Sequence, residues 1–313
     1  MTTGSGSLLP VNAEPSPPHA RRLGWAVLGA SLGAVALSAL LARHGRRATA
    51  TPRERAARGL ERAAALLAGS VLADSSVEHY RGAFENPGMY TPFATAGAVV
   101  AADGGGIGGR GGRDVVHLTA LATGAAGTAF HVYNLLRREG GPGWVDLFYG
   151  APLGAPAALS IAGLLGLAAD RVRADDGDTL LGLPAGRALA GLAGVGIAGT
   201  VGEAWLLHFR GAFHNPAMWA PIALPPVASA LLVRAAVAPG SGLGFTRFWL
   251  GATALMGVAG VGFHIYGVSR HMGGWRNWSQ NLLEGPPIPA PPAFTALALA
   301  GLSALSLIED ERG

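Results

Sequence analysis

Apolar residues run through this chain in stretches of about 20, the length a helix needs to cross about 30 Å of hydrocarbon. Polar residues gather between those stretches. The first is 23–42, and others fall at about 63–80, 90–103, 115–136, 150–169, 187–208, 219–237, 247–268 and 289–308. The pattern predicts an all-α integral membrane protein of nine transmembrane helices, with 90–103, short and interrupted by glycine, the least regular of them. Residues 1–22, rich in Gly, Ser and Pro and without an apolar period, read as a disordered N-terminal tail. The 23–42 stretch is longer than the apolar part of a secretory signal, and its positive cluster follows it, so it reads as a retained transmembrane helix.

That cluster, in a basic linker at 43–62, holds Arg43, Arg46, Arg47, Arg53, Arg55, Arg58 and Arg62. The positive-inside rule places it in the cytoplasm. Alternating the spans from there puts the N-terminus outside and the C-terminus, 309–313, in the cytoplasm of a bacterial-type inner membrane. Arg110, inside the glycine run 103–112, and Arg113, just after it, fall on the same inner side. The run itself reads as a flexible inner loop. Tyr and most Trp fall near the outer boundary, which marks that face as the elaborated one.

The spans after residue 60 are duplicated. HYRGAFENPGMYTP at 79–92 recurs as HFRGAFHNPAMWAP at 208–221, an offset of 129. A second block, Gly124, Gly127, Phe130, His131 and Tyr133, recurs as Gly257, Gly260, Phe263, His264 and Tyr266. The chain therefore divides into a four-helix repeat at 63–170, a cytoplasmic linker at 171–186 and a second four-helix repeat at 187–308. An even number of spans per repeat makes the halves parallel, related by an axis along the membrane normal. Equivalent residues then lie at equivalent depths.

Composition narrows the chemistry. Half the residues are hydrophobic, 13% are charged, and mean hydropathy is +0.35, so a lipid bilayer is the expected solvent. All 23 basic residues are Arg and pI is near 10.1, but no basic stripe interleaved with aromatics accompanies them, so no nucleic-acid partner is expected. With no Cys, any metal ligand must be His, Met, Asp, Glu or backbone. No Walker A sequence, His-Glu-x-x-His or Gly-x-Ser-x-Gly is present.

The repeated polar residues are the candidates. His79 with His131, and His208 with His264, each supply two imidazoles near the outer ends of two helices, the ligand set of a b-type haem or of another His-ligated metal. Gly127 and Gly260, one turn before His131 and His264, would let a flat cofactor approach the backbone. Arg81 and Arg210 would hold an anion or a haem propionate, or satisfy the last carbonyls of their helices. Met89 and Met218, together with the histidines, would suit Cu(I). His214, aligned with Glu85, is a weaker candidate ligand. Asn86 and Asn215 precede proline and mark a turn. Asp74 and Glu203 lie inside apolar stretches, where pairing with Arg81 or Arg210 would offset their burial. Together these residues point to a membrane redox subunit exchanging electrons between a quinone and a periplasmic redox partner or peripheral subunit. The alternatives are a secondary transporter of a small solute and a cofactor-free anchor or assembly subunit.

Overall fold

The computed structural model describes residues 50–106, 108–138, 143–150, 152–174, 179–180, 182–240 and 242–312. The expected tail 1–22 and span 23–42 lie outside the described residues. Eleven α-helices follow in order: α1 (Pro52–Arg81), α2 (Thr91–Val99), α3 (Arg110–Leu136), α4 (Trp144–Tyr149), α5 (Gly154–Arg173), α6 (Ala185–Arg210), α7 (Ala220–Ala223), α8 (Pro225–Val237), α9 (Leu243–Arg270), α10 (Trp278–Glu284) and α11 (Pro292–Asp310). A two-residue hairpin, β1 (Thr179–Leu180) with β2 (Leu183–Pro184), joins α5 to α6.

Six segments among the described residues are long and apolar enough to cross a membrane: α3, α5, α6, Pro216–Val237, α9 and α11. The protein is therefore a membrane-embedded, multi-pass helical protein. The outer helices α3 and α9 turn Val115, Leu118, Phe130, Leu255, Val258 and Phe263 outward, as lipid-facing helices do. Helix α1 lies inside, packed against α2, α5 and α11, while α11 also packs on α6 and α9. Its 30 residues are mostly small on the packed faces, with Ala57, Ala63, Ala64 and Ala68 fully buried. Small residues let helix backbones approach closely where lipid supplies no hydrophobic drive between helices.

Local signals place the helix ends. α1 starts at Pro52, well before 63, so half of the expected basic linker is helical. Thr51 Oγ1 accepts from Glu54 N–H (3.1 Å), the Glu54 carboxylate accepts from Thr51 N–H (3.2 Å), and Pro52 occupies the first turn. The expected span 90–103 is α2 continued by one π turn, Val100–Gly104. At 1.5 Å per residue that piece is about 20 Å long, short of a full crossing. The glycine run 103–112 is not a loop throughout, because α3 begins at Arg110 and the Arg113 side chain is buried. The connections 137–149 and 271–284 carry the short helices α4 and α10.

Helix α3 seats on α5 as α9 seats on α11, through the same residues. A Cβ on Gly124 would stand 2.5 Å from Pro156 O and Ser160 N; one on Gly257 would stand 2.8 Å from Pro291 O and 2.9 Å from Thr295 N. The hydroxyls of Ser160 and Thr295 reach back to the carbonyls of Leu121 (3.2 Å) and Ala254 (2.9 Å). Gly127 and Gly260 belong to this seam. Their Cβ atoms would meet Pro156 Cβ at 3.1 Å and Pro291 Cβ at 2.8 Å, so these glycines admit a proline from the neighbouring helix rather than a flat cofactor.

Candidate functional site

α1 and α6 end in the same strained turn. Ala83 and Phe84 (φ 51° and 52°), like Ala212 and Phe213 (53° and 47°), are consecutive left-handed residues with side chains. The left-handed region costs a non-glycine residue about 1–2 kcal/mol, so the turn persists only where the surroundings enforce it. Three sets of contacts do so. Phe84 N–H reaches His79 O (3.1 Å) and Phe213 N–H reaches His208 O (3.2 Å), closing the helix. Phe84 stacks on Tyr90 at 4.8 Å and Phe213 on Trp219 at 4.4 Å between ring centres. Asn86 Oδ1 accepts from Gly88 N–H (2.8 Å) and Asn215 Oδ1 from Ala217 N–H (2.9 Å), starting the 3-10 turns Pro87–Tyr90 and Pro216–Trp219. Asn-Pro is thus a cap at both positions.

The turn brings a backbone carbonyl onto each histidine. His79 Nδ1–H donates to Met89 O (2.7 Å) and His208 Nδ1–H to Met218 O (2.7 Å). On α3 and α9 the acceptors come from the strands of chain leading into α5 and α11: His131 Nδ1–H donates to Pro152 O (2.7 Å) and His264 Nδ1–H to Pro287 O (2.6 Å). A carbonyl only accepts, so Nδ1 carries the hydrogen in all four rings and the lone pair of the neutral ring sits on Nε2. None of the four Nε2 atoms has a hydrogen-bond partner among the described residues. Metal-bound histidines are oriented by this same hydrogen bond from the nitrogen that does not ligate.

In the second half the two rings meet. His208 and His264 lie 6.5 Å apart between ring centres, at 64° to one another. Two imidazoles bound through Nε2 on opposite sides of one metal ion have centres about 6 Å apart, from metal–nitrogen bonds of about 2 Å and the size of the ring. The spacing fits a shared ligand. In the first half His79 is edge-on to Phe84 (6.3 Å) and to Phe93 (5.9 Å). Among the described residues no group of three or more His, Asp and Glu is placed to hold a metal ion.

The remaining candidates take other places. The Met89 and Met218 methyls lie over Gly82 and Gly211, where a Cβ would stand 2.9 Å from each Cε, so the glycine of Arg-Gly-Ala-Phe makes room for methionine. Arg81 pairs with Glu78 (2.6 Å) and lies 3.8 Å from Glu284, and does not cap the helix carbonyls. Arg210 and His214 are exposed, and His214 Nδ1–H donates to Gly211 O (2.9 Å) within its own turn. Glu203 does not pair with arginine: its Oε1 accepts from Gly154 N–H (3.2 Å) at the first turn of α5, where the helix dipole favours a carboxylate. Its counterpart Asp74 is partly buried on α1.

Sequence reasoning missed a second cluster. Arg113, assigned to an inner loop, is the centre of a buried ionic network at the face opposite the four histidines. Its guanidinium donates to Asp170 (2.9 and 3.1 Å), Glu61 (2.8 Å), Asp103 (2.8 Å) and the carbonyl of Ala102. His117, fully buried, donates Nε2–H to both oxygens of Asp103 at 3.1 Å. Arg173 closes the network on Glu61 at 2.6 Å. The legible signal was Asp170 and His117 inside apolar spans.

These features define a class: a multi-pass helical membrane protein whose two halves carry the same histidine-bearing turn. Comparison of the chain with protein-family models, curated proteins and solved structures found no match.

Proposed function

We propose that the protein is a membrane redox subunit that binds b-type haem through its histidine pairs, inside a frame of two parallel four-helix repeats following an N-terminal span. The observation that carries this reading is the shared state of the four histidines. Each is fixed through Nδ1–H on a backbone carbonyl and keeps Nε2 without a partner among the described residues. Fixing the ring that firmly, at paired positions, suits a ligand.

His208 and His264 would hold one haem and His79 with His131 the other. Haem is favoured over copper because a porphyrin supplies four ligands of its own and needs only two from the protein, while among the described residues no third His, Asp or Glu joins either pair. When bound, the haem supplies one-electron chemistry. The protein's part is to set the imidazole orientation, to exclude water with Phe84 and Phe213 beside His79 and His208, and to present Arg81 and Arg210 on the same face for propionates. Both pairs lie toward one face, expected to be the outer one, so the electron partner is a periplasmic protein or peripheral subunit. A quinone would enter from lipid, for which the apolar groove of about 230 Å³ between Leu66, Val258, Val261 and Pro292 offers a seat.

The second reading, a cofactor-free assembly subunit, accounts for the Nδ1 bonds as turn locks and leaves Nε2 idle four times. Visible spectra of the detergent-purified protein, oxidised and dithionite-reduced, separate the two. A Soret band with a sharp reduced α band supports haem. A haem-free spectrum from folded protein expressed with haem supplied, and no stoichiometric metal on elemental analysis, removes the redox reading.

A further inference from the structure

The buried ionic network on α1, α2, α3 and α5 has an internal control. The seams that superpose Gly124 on Gly257 and Pro156 on Pro291 also match Arg113, His117, Asp170 and Arg173 with Thr246, Leu250, Leu305 and Ile308, and the repeated turn, at its offset of 129, matches Glu61 and Asp103 with Ala190 and Leu232. All six of the latter are buried, at 4% exposure or less. The match holds at the contact level: a Cβ on Gly166 would strike the His117 ring, and a Cβ on Gly301 would strike Leu250 and Leu232. The same place in the fold is therefore filled by uncharged, mostly aliphatic residues in one half and by charges in the other. Apolar packing suffices there, and buried ion clusters are seldom more stable than the apolar residues that replace them. Stability does not account for the charges.

Among the described residues seen to pair within it, the cluster has one more carboxylate than guanidinium. Glu61, Asp103 and Asp170 carry three negative charges against two on Arg113 and Arg173. His117 is the group that can close the difference. Its Nδ1 is buried without a hydrogen bond among the described residues, and the nearest carboxylate oxygen paired with it, Asp170 Oδ2, stands 3.6 Å away, just beyond bonding distance. The other ring nitrogen already faces Asp103. An imidazolium would thus lie between two carboxylates.

We propose that His117, between Asp103 and Asp170, is a proton-binding site that takes one proton at Nδ1 from the aqueous face opposite the four histidines. The proton arrives from water at the rim, where the Arg173 side chain is 41% exposed, and no bond other than Nδ1–H forms. Along α3, His117 and His131 are 14 residues apart, about 21 Å at 1.5 Å per residue. The proton site and the His79–His131 pair thus occupy opposite ends of α1 and α3. The site stands without the haem reading, and its test uses no cofactor.

The test is isotope-edited infrared or NMR titration of the full chain in nanodiscs with labelled histidine, between about pH 5 and pH 8, where imidazole charges. Two variants accompany it: His117→Gln, and the combined Asp103→Leu, Arg113→Thr, His117→Leu and Asp170→Leu, which writes the second half's residues into the first. Among the transitions of the chain's nine histidines, the expected result is one imidazole-to-imidazolium transition that is present in the parent and missing from both variants. The combined variant should elute as a monodisperse species with an unchanged thermal midpoint. Asp170→Asn, which keeps the shape and removes the acceptor, should weaken proton binding about tenfold, a shift of about one pH unit to lower pH. A His117→Gln spectrum that loses no transition relative to the parent, or a His117 transition that Asp170→Asn leaves in place, would overturn the proposal. So would a combined variant that unfolds while His117 in the parent shows no transition, for the cluster would then be a structural pin.

Discussion

The left-handed pair after each of α1 and α6 is where single residues carry the most strain. Ala83 and Ala212 sit at φ 51° and 53°. Gly there removes the steric cost, so Ala212→Gly should stabilise the protein by about 0.5–1 kcal/mol and raise the thermal midpoint in detergent. Ala212→Val, β-branched at positive φ, should lower it. If both variants lower it equally, the turn is held by something other than backbone fit. Glu203 gives a second residue-scale prediction. Its carboxylate caps α5 through Gly154 N–H. Glu203→Gln keeps an acceptor oxygen and should cost less than Glu203→Leu, which leaves the amide unpaired for about 1 kcal/mol. Equal losses would mean that the cap does not stabilise α5.

At the level of elements, the seams α3 on α5 and α9 on α11 depend on absent side chains. Gly257→Ala would press a methyl against Pro291 O and Thr295 N, both backbone atoms that move only with their helix. A cost of about 1–3 kcal/mol follows, whereas Gly262→Ala, where nothing lies within 4 Å, should be neutral. Thermal unfolding of the two variants side by side checks this. Much at this scale was readable in the chain: the repeated blocks, the helical class, the turn at Asn-Pro and the equivalence of the four histidines. The start of α1 was also written in Thr51, Pro52 and Glu54, but the surrounding arginines drew attention to charge instead of capping. The roles of Gly127 and Gly260 were not readable, because a glycine that clears a cofactor and one that seats a proline look alike until the neighbouring helix is in place. Arg113 misled for a related reason. Counting it as a topological charge presumed that it met water, and only the packing of α1, α2 and α5 around α3 shows three carboxylates waiting for it.

For the whole molecule, the expected parallel halves place Glu85 and His214 on one side of the membrane, and Ala174 and Arg312 on the other. The chain lacks cysteine, so single substitutions Glu85→Cys, His214→Cys, Ala174→Cys and Arg312→Cys can be labelled one at a time with an impermeant maleimide. The first two should react from one side of sealed vesicles and the last two from the other; a split between Glu85→Cys and His214→Cys would break the parallel arrangement. The histidine pairs are the centre of the account, and haem content per chain in four proteins tests them most directly: parent, His131→Ala, His264→Ala and the variant carrying both. If His79 with His131 and His208 with His264 are separate sites held through Nε2, each variant retains about half the parent's haem, and the double variant retains none. Unchanged haem in both single variants, or complete loss in either, would contradict two independent bis-histidine sites.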